Sequence, residues 1–133
     1  MIDADGLRVL HWNIRSWRVL ADRSNVGAVA DLIGQHAPHV VSLVEVDEHW
    51  AGHSGLPPLL DRVPGYSSVF VPAFEYAAGG AGFGNALLTS VPIRHVRQRQ
   101  LVWPQPVYDG SEPSQQRAAV FVQIGRWWVG STH

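Results

Sequence analysis

Two apolar segments constrain this chain more than anything else in it: Leu7-Arg8-Val9-Leu10-His11-Trp12-Asn13-Ile14 and Val40-Val41-Ser42-Leu43-Val44-Glu45-Val46. Each has the composition of a buried strand and arrives at a side chain with a hard oxygen, the amide of Asn13 and the carboxylate of Glu45. A helical pattern lies between them. Ser24 is suited to accept from free first-turn amides, and Val26, Val29, Ala30 and Ile33 follow at helical spacing with Asp31 facing outward. Ala37-Pro38 ends the run, because a residue before proline avoids the α region. Strand, helix, strand with a right-handed crossover makes the two strands parallel, so both C-terminal ends share one sheet edge, where ligands of open α/β sheets gather. A carboxylate and a carboxamide meeting there suit Mg²⁺, which takes few protein ligands and leaves the rest to water and phosphate.

The 133 residues have room for one domain with a sizeable core. Cysteine is absent, which excludes disulfides, thiolate zinc sites and a cysteine nucleophile. Lysine is absent too, so all ten basic residues are arginine, and Schiff-base chemistry and a Walker lysine are excluded. A net charge of −1 advertises no polyanion partner globally. Locally, Arg94, Arg97 and Arg99 alternate as the solvent face of a strand would, whereas Arg15, Arg18 and Arg23 crowd the loop beside the proposed metal edge, where a solvent-facing and a ligand-facing role are both open. Met1 to Gly6 lacks the basic and apolar regions of a secretory signal, and no stretch approaches the roughly 20 apolar residues of a membrane helix. The expectation is a soluble, by default cytoplasmic, protein.

Further along, residues 47–61 read as a loop with a short helix near 58–62, and 65–71 as a third strand. A glycine-rich turn over 77–84 leads to a strand over 83–89 and another over 94–102. Residues 103–116 read as a loop, and 117–124 with 127–132 as a hairpin closed near Gly125. Trp127 and Trp128 must point to opposite sides of their strand and are expected in the core, which would make that strand central. Gly52-His53-Ser54-Gly55-Leu56 fails as a nucleophile elbow, since Leu56 stands where glycine is required. His49 and His53 have helical spacing for a metal, but no Glu follows His49 and the nearby glycines weaken the helix. The glycines at 79, 80, 82 and 84 lack the Gly-Lys-Ser/Thr of a phosphate loop.

Five motifs in order resemble the endonuclease/exonuclease/phosphatase superfamily, with its deoxyribonuclease-I-like fold. Leu7 to Ile14 is similar to the opening strand with its terminal Asn, and Pro38 to Asp47 (PHVVSLVEVD) resembles the second motif, with Val44 replacing the Gln common before the Glu. Gly84 to Ile93 matches the middle strand, Gln116-Arg117-Ala118-Ala119-Val120 the strand opening on Arg, and Ser131-Thr132-His133 the strand whose His faces the scissile phosphate. The resemblance implies the N-terminal half of a four-layer α/β/β/α sandwich, with a mixed sheet carrying a helix on its outer face. It implies a phosphoester hydrolase, of phosphodiesterase, nuclease or phosphatase type, using Mg²⁺ or Mn²⁺. Glu45 and Asn13 would hold or position the metal, His133 and Asn13 would act at the phosphate, and Arg117 would be a weaker phosphate-side group. Asn85 is expected to be structural. The substrate could be nucleic acid, phospholipid or inositol phosphate.

The family continues with an Asp-x-Asn motif that orients the nucleophile and an Asp-His pair in base catalysis, and neither occurs in these 133 residues. Residues 1–133 are therefore expected to be a single incomplete domain, a fragment with little activity alone and an exposed apolar inner sheet face open to self-association or to a C-terminal half. The alternative is a non-catalytic half-domain that binds a phosphorylated ligand or a partner chain.

Overall fold

Val40, Val41, Leu43 and Val44 are at most 1% exposed, as befits a strand covered on both sides, and the molecule is assembled around them. The computed structural model describes residues 2, 6–19, 23–50, 53–77, 81–101 and 116–133. Strand β1 (Val9–Asn13) pairs in parallel with β2 (Val40–Trp50), with Asn13 opposite Val44. The crossover carries helix α1 (Val26–His36). A short strand β3 (His53–Ser54) turns back on β2, and helix α2 (Leu56–Arg62) follows. Strands β4 (Ser67–Ala77) and β5 (Ala81–Thr89) complete a mixed sheet in the order β1-β2-β5-β4. A second, antiparallel sheet holds β6 (Ile93–Gln100), β7 (Ala118–Ile124) and β8 (Trp127–Thr132), in that order.

The layers follow from alternation along the strands. Val41, Leu43 and Val46 of β2 and Leu88 of β5 face both helices, packing with Val29, Ile33 and Leu59. Residues of opposite parity, Val40 and Leu87 with Val71 and Ala73, face β7 and meet Ala118, Val120, Val122 and Ile124. The central strands' inner face is therefore covered by the second sheet, contrary to the expectation of a bare one. Among the described residues that sheet has three strands. Gly84 serves the close pairing of β5 with β4 opposite Pro72, since a Cβ there would sit 2.0 Å from the Val71 carbonyl oxygen.

Several local expectations are corrected. The first residue of α1 follows Asn25 rather than Ser24; the Ser24 hydroxyl reaches only the Val26 amide, at 3.3 Å. Ala37 does leave the right-handed region before Pro38, but into the left-handed one at φ 42°, where its N–H closes on the Ile33 carbonyl at 2.8 Å. Residues 47–50 continue β2 rather than opening a loop, which places His49 on a strand. The tryptophan expectation fails. Trp127 and Trp128 are 39% and 45% exposed because β8 is an edge strand, and the central strand of its sheet is β7. Trp128 instead lies under Arg97, whose guanidinium carbon is 5.0 Å from the ring centroid. The loop expected over 103–116 falls outside the described residues except at Gln116, as do Gly79 and Gly80 of the glycine-rich turn. Among the described residues no helix is long and apolar enough to cross a membrane.

Candidate metal and phosphate site

Strict alternation along β2 would place Glu45 on the same side as Leu43, beneath the helices. A β-bulge prevents this. Leu43 pairs with Ala86 and Val46 with Gly84, so Val44 and Glu45 together oppose Asn85. Val46 takes the helix-facing place, and Glu45 adopts φ 55°, a left-handed conformation that a side-chain-bearing residue enters at a cost. Its carboxylate is left about 30% exposed at the end of β1.

Asn13 meets it there. The Asn13 amide Nδ2 donates to Glu45 Oε1 at 2.8 Å, while its Oδ1 accepts from the Arg15 backbone N–H at 3.0 Å. Arg15, Ser16 and Trp17 follow with φ of 49°, 55° and 63°, a left-handed turn of three consecutive non-glycine residues. It is held by Arg18 N–H to the Arg15 carbonyl at 3.1 Å and by Ser16 N–H to the Glu45 carbonyl at 2.9 Å. The buried Trp17 anchors it by donating its indole N–H to the Asp47 carbonyl at 2.9 Å.

The third member comes from the other sheet. His133 follows β8, and its Nε2 lies 3.7 Å from Glu45 Oε1, an ion-pair distance if the imidazole is protonated and too long for a hydrogen bond. Two buried polar links fix the sheets in this relation. Ser42 Oγ of β2 and Ser131 Oγ of β8 are 2.7 Å apart, and Asn85 Nδ2 of β5 donates to the Ala118 carbonyl of β7 at 2.9 Å. Asn85 thus joins the sheets next to the bulge. Arg117 is half-buried immediately before Ala118, and the register that pairs Ala119 with Thr132 brings it to the end of the sheet where His133 lies.

The donor chemistry suits one hydrated hard cation. Among the described residues no group of three His, Cys, Asp or Glu side chains forms a closed metal cage. Glu45 offers one partly exposed carboxylate, in keeping with the one or two that Mg²⁺ commonly takes from a protein. Asn13 turns its nitrogen to that carboxylate and commits a lone pair of its oxygen to Arg15.

Beside Asn13 opens a cleft of about 500 Å³ lined by Trp12, Asn13, Arg15, Arg18, Val19, Arg23 and Asn25. Its arginines are visible in the sequence as a cluster, but Trp12 and Asn25 are not recognisable there as their neighbours. Asn25 reaches the cleft because its Nδ2 donates to the Ile14 carbonyl at 2.7 Å, a contact across the loop that no local pattern announces.

The model of the Endonuclease/Exonuclease/phosphatase family matches residues 10–129. Among curated proteins no relative matches the sequence. Solved structures do. An endonuclease/exonuclease/phosphatase from Beutenbergia cavernae DSM 12333 is similar at a TM-score of 0.65 and 23% identity, over 96% of this chain and 38% of that one. A family protein from Leptotrichia buccalis C-1013-b gives 0.65 at 13% identity, over 96% and 52%. The human Nocturnin catalytic domain, solved with a bound sulfate anion, gives 0.61 at 18%, over 96% and 49%. The chain thus spans between about two-fifths and half of the structures it resembles.

Proposed function

Since the chain belongs to the endonuclease/exonuclease/phosphatase family, we propose that it carries the metal- and phosphate-binding half of a Mg²⁺- or Mn²⁺-dependent phosphoester hydrolase site. The observation that supports this reading is the convergence of Asn13, Glu45 and His133 from three strands, at 2.8 Å and 3.7 Å about one carboxylate oxygen.

In this reading Glu45 holds the cation, with Asn13 fixing the orientation of its carboxylate and contributing at the metal or the phosphate. A bound divalent cation would polarise a phosphoryl oxygen and stabilise the charge that develops on it. His133, with its Nε2 beside Glu45 Oε1, would meet the phosphate oxygens, and Arg117 would add positive charge from the adjacent strand. These residues bind, orient and polarise. The 133 residues contain no Asp-x-Asn or Asp-His pair to prepare a nucleophile, so domain 1–133 is read as incomplete and slow alone. The second reading is a half-domain that binds a phosphorylated ligand without turning it over. Nucleic acid, phospholipid and inositol phosphate all present the phosphoester that such a site requires.

Mn²⁺ titration monitored by the paramagnetic resonance of the free ion tests the metal assignment. One site is expected, lost in Glu45→Ala and weakened about tenfold in Asn13→Ala, the usual effect of removing a ligand's supporting hydrogen bond. Undiminished Mn²⁺ binding by Glu45→Ala would overturn it. In parallel, Mg²⁺-dependent cleavage of bis(p-nitrophenyl) phosphate should be barely above the buffer rate; robust turnover that Glu45→Ala abolishes would contradict the half-site reading.

A further inference from the structure

We infer that His11 is a positioning residue: through the buried hydroxyls of Ser42 and Ser131 it sets the place of His133 against Glu45. What His133 meets there rests on the proposed phosphate site; the hydrogen bonds themselves do not.

Two rows of side chains cross the same three strands. In the first, His11 Nδ1 of β1 lies 2.9 Å from Ser42 Oγ of β2, which lies 2.7 Å from Ser131 Oγ of β8. In the second, Asn13 of β1 bonds Glu45 of β2 at 2.8 Å, with His133, just beyond β8, at 3.7 Å. Residues two apart on a strand share a face at a spacing of about 7 Å. His11 and Asn13 are such a pair, and so are Ser131 and His133. Ser42 and Glu45 are three apart, but the bulge at Val44 and Glu45 absorbs the odd residue, so the two rows run side by side.

The first row behaves as one unit. Ser42 has a single hydroxyl proton, so it donates to one neighbour and accepts from the other, and each bond polarises the next. Ser42 and Ser131 are 4% and 5% exposed, so losing a partner leaves a buried polar group unsatisfied. His11 lies on an exposed edge strand, yet it turns Nδ1 inward to this pair.

The row acts on β8 itself. Asn85 ties the first sheet to the Ala118 carbonyl of β7, one strand away. Ser131 belongs to β8 and stands two residues before His133. His133 lies beyond Thr132, the last paired residue of that strand, so its place depends on where Ser131 is held. A displacement of roughly 1 Å is enough to spoil the alignment that a reacting group requires.

The test separates the hydrogen bond from the ring that carries it. His11→Phe keeps the ring and removes the bond, whereas His11→Asn offers an amide group at the reach of Nδ1. In EDTA, the nuclear Overhauser contact between the His133 ring and the Glu45 side chain is expected in the parent and in His11→Asn, and lost in His11→Phe. Ser131→Ala cuts the same row at its other end and should act as His11→Phe does. With Mn²⁺ bound, inorganic phosphate followed by phosphorus line broadening should bind His11→Phe about tenfold more weakly, the usual scale for loss of a supporting hydrogen bond, while Mn²⁺ affinity is unchanged. Far-ultraviolet circular dichroism of the His11 variants should match the parent, because His11 is exposed.

An Overhauser contact missing from the parent, or retained in His11→Phe or Ser131→Ala, would overturn the positioning role. So would His11→Asn behaving as His11→Phe does, or equal weakening of Mn²⁺ and phosphate, the mark of a general loosening. The two readings fail separately. A contact that follows His11 in a protein whose Mn²⁺ binding ignores Glu45→Ala leaves the positioning role standing without the metal assignment. A contact indifferent to His11 leaves the Mn²⁺ assignment intact.

Discussion

Glu45 combines a strained backbone with an exposed carboxylate, and the two can be separated by substitution. Glycine adopts φ 55° freely whereas alanine does so at a cost, so Glu45→Gly should be more stable than Glu45→Ala by about 1 kcal/mol, while both lose Mn²⁺ binding. Urea unfolding of the pair measures this; equal stabilities would show that the bulge relaxes once the carboxylate is gone. A second residue-scale expectation concerns the hydroxyl pair. Ser42→Ala strands the buried Ser131 hydroxyl and should cost about 1–3 kcal/mol, whereas Ser131→Ala leaves Ser42 its His11 partner at 2.9 Å and should cost less, with the double variant below the sum. Additive losses would mean the two hydroxyls do not support each other. Asn13 and Glu45 are legible in the sequence because each ends an apolar run, and their meeting follows from parallel pairing. The bulge that makes Glu45 accessible is not legible, since nothing in Val44-Glu45-Val46 marks an extra residue; it emerges only from the register with β5. His133 is singled out by the resemblance alone, since no local pattern sets a histidine against a strand from the other sheet.

At the scale of elements, polar side chains distant in sequence fix the ends of helices and strands. Glu48 Oε1 accepts from the N–H groups of Gly55 and Leu56 at 3.2 and 3.0 Å and from the Trp17 indole at 3.2 Å. It thereby caps α2 and anchors the left-handed turn at once. Glu48→Ala leaves several donors buried and should cost about 2–3 kcal/mol, measured by urea unfolding, as expected for hydrogen bonds to a carboxylate. Tyr66 ties the start of β4 to the crossover through a hydrogen bond to the Pro38 carbonyl. Burial, partly countered by Ser90 and Arg8, raises its hydroxyl above the ordinary value of 10. The raised value means the folded state retains this proton longer than the unfolded chain, so the contribution is complete below about pH 10 and is lost as pH rises through the folded value. Tyr66→Phe should cost about 0.5–1.5 kcal/mol at neutral pH, and its deficit should shrink in more alkaline solution. A deficit that grows with pH would contradict that sign. The strands themselves were recognisable because apolar alternation is a local property. Their lengths are not: the third strand, expected over 65–71, runs on to Ala77 through Pro72, which β4 accommodates as an edge strand beside a register shift.

For the molecule as a whole, two apolar clusters share one sheet, and cooperativity should follow that arrangement. Amides of β2 and β5, which lie between the helices and the second sheet, should exchange with solvent only on global unfolding, whereas those of β6, an edge strand exposed along nearly all its length, should exchange by local opening. Native-state hydrogen exchange resolves the difference; equal protection in β6 and β2 would refute it. Exposed apolar residues remain at the margins, with Val9 on the β1 edge and Phe121 and Trp128 on the second sheet. The sandwich was legible as a fold through its ordered motifs. The placement of the tryptophans was not, because adjacent aromatic residues read alike on central and edge strands.

Glu45 grips the arginine turn with its carbonyl and Asn13 with its carboxylate, and Asn13 in turn holds the Arg15 amide. One residue thus pins the end of β1 and the left-handed turn together. Rotation of the Glu45 carboxylate away from Asn13 would therefore free the amide that steadies Arg15, and a change at one side chain would be felt through the whole left-handed turn.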